Sequence, residues 1–158
     1  MNSISKYQYN LVCDAREALL AYCASLSSEE LVQEIPDFGR SSIRNLLIHN
    51  ANTYQFWIGQ FALKQTIRFA EATNFSDIEA IRQLYISIND LVVPFLRQLE
   101  GQLKIPIIGK NFSGAKTLEM TPLQLFTHVI THEFHHKGQI LSMSRNLGYT
   151  PPDTGIIR

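Results

Sequence analysis

Apolar positions recur at helical spacing along nearly the whole chain, and four segments can be read from that period and from the residues that cap it. The first runs from about Ile4 to Leu26, with Leu11, Ala15, Ala18, Leu19 and Tyr22 spaced for one face. Ser27 with Glu30 then forms the pattern of a capping box and opens a short helical turn that ends near Pro36. A second helix starts at Ser41 or Ser42, after Gly39. It carries Ile43, Leu46, Leu47, Tyr54, Trp57, Ile58 and Phe61 on a core-facing stripe, with His49 at the stripe's edge. A third begins at Ser76, with Glu79 three residues on, and continues through Ile81, Leu84, Tyr85, Ile88, Leu91 and Val92 to about Gly101. Pro94 inside it predicts a kink or a local break.

Between Gln102 and Met120 the period is lost among Lys, Gly, Pro, Asn and Ser, which fits a loop or a short extended excursion and leaves room for a functional lid. The fourth helix has Thr121 as its cap and Pro122 at its first position. Leu123, Phe126, Val129, Ile130, Phe134, Ile140 and Leu141 follow, and Gly148 stops it. No strand pattern rivals these four helices, so the expected fold is all-α, a four-helix bundle with a long loop before the last helix.

With 158 residues, 45% of them hydrophobic, the chain has the length of one compact domain spanning 1–158. Lys+Arg and Asp+Glu stand at 14 each, so no net field recruits nucleic acid or an anionic membrane surface. The N-terminal residues lack a cationic start followed by an apolar run, and no later stretch is apolar for about 18 residues, so a cytoplasmic location is expected. Cys13 and Cys23 fall on one helix, where ten residues rise about 15 Å, beyond disulfide reach; they read as reduced packing residues.

Chemistry concentrates in the last helix, which holds four of the five histidines: His128, His132, His135 and His136. Any one of them reads most simply as a surface or hydrogen-bonded histidine. As a set they read differently. His128, His132 and His136 are two consecutive i, i+4 steps that present imidazoles on nearly one face, where two neutral nitrogens can converge on a transition-metal ion without backbone strain. His135 is turned about 60° from His132 on the other side. Tyr54 and Trp57 read first as core aromatics, although their turn lies just beyond His49 and they could wall a pocket. Gly138 sits inside a helix at a cost of about 1 kcal/mol against alanine, so a close helix approach is expected there.

The string His132-Glu133-Phe134-His135-His136 also satisfies H-E-x-x-H, in which two histidines bind zinc and the glutamate activates water. Such sites sit beside a sheet and take a third ligand from farther along the chain. Here the tail offers only Asp153 and no strand is evident, so a protease of that kind is disfavoured. Glu133 then reads as a solvated helix-surface carboxylate or as a group that orients an imidazole.

The run H-x-x-x-H-[RK]-G-Q, here His132 to His136 followed by Lys137-Gly138-Gln139, with a lone histidine on the second helix followed by aromatics, resembles the DinB/YfiT-like family. The resemblance extends from the first helix to Gly148. It implies a four-helix bundle with a divalent metal, zinc or nickel, held by three histidines, which fall at His49, His132 and His136. Periodicity alone only permits His49. Lys137 stands where arginine is more common, keeping the charge and losing the planar fork. In this reading His128 lines the same pocket and His135 faces away.

Three neutral imidazoles leave a coordination position open, as in a catalytic site. Relatives of the resembled family include transferases and isomerases that use bacillithiol or mycothiol, which implies a metal-dependent thiol transferase acting on a small electrophile, with a low-molecular-weight thiol as cosubstrate and a homodimer as the assembly. Two other classes stand beside it: a metal-dependent hydrolase with Glu133 as general base, and a non-catalytic stress-related protein whose ion ties two helices together.

Overall fold

The computed structural model describes residues 4–158; Met1 to Ser3, part of the N-terminal stretch on which the expected location rests, lie outside them. Five α-helices form the body: α1 (Ile4–Cys23), the short α2 (Ser28–Val32), α3 (Ile43–Tyr54), α4 (Ile78–Gln98) and α5 (Pro122–Asn146). The four long helices make a bundle in which α3 packs on α4 and α5, and α1 on the same two. Among the described residues no helix is long and apolar enough to cross a membrane.

Local chemistry explains most boundaries. The capping box of Ser27 and Glu30 forms and opens α2, and Tyr149 also donates to the Glu30 carboxylate, which ties the end of the chain to this turn. Ser42 caps α3 by accepting from the Asn45 N–H. Thr121 and Gln124 cap α5 reciprocally, with Pro122 behind them at a position whose N–H has no helical partner anyway. At the other end Gly148 adopts a φ of 92°, in the region open to glycine.

Several expectations need correction. The first helix stops at Cys23, and i→i+3 bonds from Ser25 and Leu26 tighten the chain into a turn. Leu11 is exposed, and the buried face of α1 is Tyr9, Val12, Ala15, Arg16, Leu19 and Cys23. Asp77, not Ser76, caps α4, accepting from the Ala80 N–H at 2.8 Å, while Glu79 is engaged by Arg82 and Gln83. That helix runs through Pro94 without a break.

Two features matter for the site. Beyond Tyr54 the second long helix widens into a π-helical segment, Gln55–Ala62, closed by an i→i+5 bond from Leu63 N–H to Ile58 O. π segments shift side chains out of the 3.6 register, and Trp57 is half-buried while Ile58 and Phe61 stay in the core. The stretch before α5 takes the second of its two expected forms, a short extended excursion, as a hairpin of β1 (Ile107–Lys110) against antiparallel β2 (Thr117–Met120), with Ile107 opposite Met120 and Lys110 opposite Thr117. Lys64 donates to Ile108 O and fastens the hairpin to the π-helical segment.

Candidate metal centre

His49, two turns into α3, and His132 and His136, one turn apart on α5, are brought together where these helices pack. Ring centroids lie 5.1 Å apart for His49 and His132, 4.8 Å for His49 and His136, and 4.4 Å for His132 and His136. One nitrogen from each lies within 4.8 Å of the other two, a group that could hold a metal ion.

The hydrogen bonds decide which nitrogens face inward. His132 Nδ1 lies 3.2 Å from Asn50 Oδ1, and His136 Nδ1 lies 2.5 Å from Gln139 Oε1. Each amide oxygen accepts from an Nδ1–H, which leaves Nε2 of both rings with a lone pair. Those two Nε2 atoms stand 3.3 Å apart. Two lone pairs repel at that distance, and a shared cation removes the conflict. Nitrogens held at about 2.0–2.1 Å by a tetrahedral ion lie about 3.3–3.4 Å from each other, so the His132–His136 pair has the spacing such an ion needs, with a His49 nitrogen within 4.8 Å to complete the set. Asn50 is a site residue that the sequence reading missed, and Gln139, which closes the motif run, is one to which it gave no role. Gln139 follows His136 by three positions, and that i, i+3 spacing on one helix was the available signal.

Burial lowers the pKa of all three rings. His132 is pulled down to about 4, by desolvation first and then by the neighbouring imidazoles. His136 is lowered by desolvation against the raising effect of Gln139, and His49 by desolvation alone. His49 is the most exposed of the three, so solvent attenuates its shift most. The rings are therefore neutral near pH 7, the form that binds metals.

This gives a sign for pH dependence. With folded-state values below the ordinary 6.5, the unfolded chain binds more protons than the folded one as pH falls below that value, so stability is full above it and declines on acidification. The Tm of metal-free protein is expected to drop steadily from about pH 6.5 to about pH 5, above the carboxylate range. A Tm flat across that window would mean that the three rings titrate as free imidazoles.

Other predicted positions divide. His128 and Trp57 do line a cavity beside the histidines: their rings are 5.4 Å apart, and His128 is 5.6 Å from His132. His135 is exposed and stands outside the group of three. Tyr54 does not line the cavity; it is fully buried and donates to Glu133 Oε2 at 2.5 Å. Glu133 is not a solvated surface carboxylate and orients no imidazole. It is 5% exposed and accepts Arg16 Nε at 2.6 Å and Arg16 Nη2 at 2.8 Å, a bidentate pair between α5 and α1. Burial works against the Arg16 charge, but the adjoining Glu133 carboxylate outweighs it and holds the guanidinium's pKa well above its ordinary value. Gly138 has open space where a Cβ would stand, so no helix approaches it closely. Lys137 is buried, lies 4.2 Å from the centre of the Phe134 ring and donates to Thr154 O, which anchors the C-terminal tail.

The cavity holds about 400 Å³. Sequence reading missed Phe56, Phe69 and Phe112 in its walls, since they converge from the π-helical segment, the following loop and the hairpin turn.

The geometry agrees with what the chain is similar to. A sequence model of the DinB family matches residues 1–158. Protein DinB of Bacillus subtilis (strain 168) is 30% identical, over 95% of this chain and 90% of its own length. The protein YizA of the same organism is 22% identical over 96% and 91%. A crystal structure of a DinB-like protein from Bacillus cereus ATCC 10987 superposes with a TM-score of 0.70 at 20% identity, covering 95% of this chain and 96% of that one, which speaks for the fold. A family match along the full sequence, joined by a 30% identical relative and the shared helical bundle, settles the affiliation: this chain belongs to the DinB family.

Proposed function

We propose that the protein binds a divalent metal, zinc or nickel, through His49, His132 and His136, and transfers a low-molecular-weight thiol of the bacillithiol type to a small electrophile. The observation that carries this reading is the placement of three converging imidazoles beside an open cavity while Glu133 is turned into the core. A bound ion there supplies Lewis acidity and lowers the pKa of a thiol that coordinates it. The chain's own residues do the rest: Asn50 and Gln139 hold the rings in one tautomer, and the aromatic walls keep water from the reacting atoms. The thiol comes from outside. Cys13 and Cys23 do not line the cavity, and burial raises both their pKa values, that of Cys23 to about 12.

A hydrolase would need a base with free access to water near the ion, and both Glu133 oxygens are already taken. A purely structural ion would not call for a cavity of this size beside it. A homodimer in the cytoplasm completes the proposal, with exposed Ile4 and Leu11 on α1 and Ile86 on α4 as apolar surface for self-association.

The test is consumption of a chromogenic alkyl halide by zinc-loaded and by metal-free protein, each with and without bacillithiol. In the expected step the thiol sulfur bonds to carbon, the halide leaves with the bonding pair and the thiol proton goes to solvent. Turnover that requires both thiol and metal is the expected result. Turnover in water alone would replace the transferase with a hydrolase, and none under any condition would leave a metal-binding protein.

A further inference from the structure

The cavity walls form a connected belt of rings that leads from the hairpin to the histidines. Phe112 lies 5.6 Å from Phe69 and 5.3 Å from Phe56, Phe56 lies 4.8 Å from Trp57, and Trp57 lies 5.4 Å from His128, which adjoins His132. The contacts are tilted or edge-on, the arrangements in which aromatic quadrupoles attract.

Polar groups in the lining are already committed. Asn52 donates its amide N–H to Ala70 O and accepts from Ala70 N–H, each at 2.9 Å, and so fastens the residue after Phe69 to α3. Thr53 donates to His49 O at 3.0 Å. Among the described residues no Asp, Glu, Lys or Arg lines the cavity. Apart from imidazole nitrogens at one end, a ligand meets ring faces and edges.

Phe112 is the feature the fold leaves unexplained. It is 72% exposed at the tip of a hydrogen-bonded hairpin, where Asn111 accepts from Gly114 N–H through its carbonyl and from Lys116 N–H through its side chain. The hairpin is seated by Gly109, where a Cβ would come within 2.7 Å of the buried Phe61 ring. A flat ligand laid in the cavity against Phe112, Phe56 and Phe69 would cover part of the exposed ring.

We infer that this cavity takes an uncharged aromatic electrophile, its ring system held by Phe56, Trp57, Phe69 and Phe112 with the reacting carbon at the histidine end, and that Phe112 is a specificity-determining wall. The inference rests on the thiol-transfer reading for what happens to the ligand and on the cavity alone for what binds. For an arylmethyl halide, the thiol sulfur bonds to the methylene carbon, the carbon–halogen bond breaks, the halide departs with its electron pair and the thiol proton goes to solvent. The volume of about 400 Å³ is near the small end of ligand pockets, roughly 300–1,000 Å³, and suits a fused ring pair better than a longer molecule.

Trp57 is the sole tryptophan of the chain, so its indole N–H resonance in nitrogen-labelled full-length protein reports binding with no chemistry required. Naphthylmethanol is titrated into zinc-loaded and metal-free protein. Naphthalenesulfonate is titrated into metal-free protein, where no ion can recruit the anion. Saturable movement of the indole resonance with naphthylmethanol is expected in both forms, with the sulfonate at least about tenfold weaker. Phe112→Ala, at an exposed position that leaves folding intact, should weaken naphthylmethanol about two- to tenfold. Gly109→Val, which lifts the hairpin off Phe61 with Phe112 still present, should weaken it as well. No saturable shift, or a sulfonate bound as tightly as the alcohol, overturns the inference; unchanged affinity in both variants removes Phe112 from it. Binding without thiol transfer to a naphthylmethyl halide leaves the inference standing and overturns the transferase. Transfer to a small hydrophilic halide without naphthyl binding does the reverse.

Discussion

Purified His132→Ala and His136→Ala variants are each expected to lose stoichiometric metal, as measured by elemental analysis after dialysis. The two Nε2 atoms stand 3.3 Å apart on one helix, and the rest of the site depends on that pair. Removing either ring leaves at most two of the three nitrogens to compete with water. His49→Ala should weaken binding as much, because His49 is the ligand that closes the group from α3. Asn50→Ala and Gln139→Ala keep every metal-facing nitrogen and lose only the acceptors that fix the tautomers, so their affinity should fall about 10–100-fold, less than for any ligand change. His135→Ala should retain the ion, since that ring is exposed and outside the group. Full metal content in His49→Ala would remove the three-histidine assignment, and an empty site in His135→Ala would mean that a different face of α5 holds the ion.

The histidine pair was legible because its geometry is local: the i, i+4 spacing on one helix fixes the relation of His132 to His136 whatever α5 packs against. His49 was not legible in that way, since its distance from α5 is set by how two helices meet, and only the family resemblance pointed to it. Glu133 shows a reading error with a recoverable signal. It lies seven residues after Phe126, four after Val129 and seven before Ile140, all buried, so the period already placed it on the core stripe with Lys137. Its charge hid that, because a carboxylate in the core calls for a partner, and Arg16 sits 117 residues away in sequence. Strands of four residues in the hairpin are too short for alternation to stand out from a loop. The π-helical segment keeps a helical composition and changes only the hydrogen-bond register, which the residue pattern does not report.

Glu133→Gln is expected to destabilise the protein by about 3–5 kcal/mol in urea denaturation, or about 6–20 °C in Tm, while its metal stoichiometry at low temperature stays unchanged. Arg16 is 4% exposed and pairs its Nε–Nη2 edge to the carboxylate, which a Tyr54 hydroxyl also meets, while its Nη1 donates to the neutral Asn89 Oδ1 at 3.1 Å. Its guanidinium carbon lies 4.6 Å from the centre of the Tyr85 ring and 5.5 Å from that of Tyr54. Aromatic faces soften the isolation of a buried cation, but they do not replace a carboxylate. A neutral amide at position 133 therefore strands the charge in the core. Arg16→Met should cost as much by stranding Glu133. The double variant Arg16→Met/Glu133→Leu should be more stable than either single change, because desolvation no longer burdens either side. Additive losses in the double variant would show that the pair acts through separate contacts. The same Gln variant also weighs Glu133 as a base. If it proved as stable as the parent, held its metal and lost about a thousandfold or more in turnover, the carboxylate would be acting on protons at the site, and the hydrolase reading would replace the transferase.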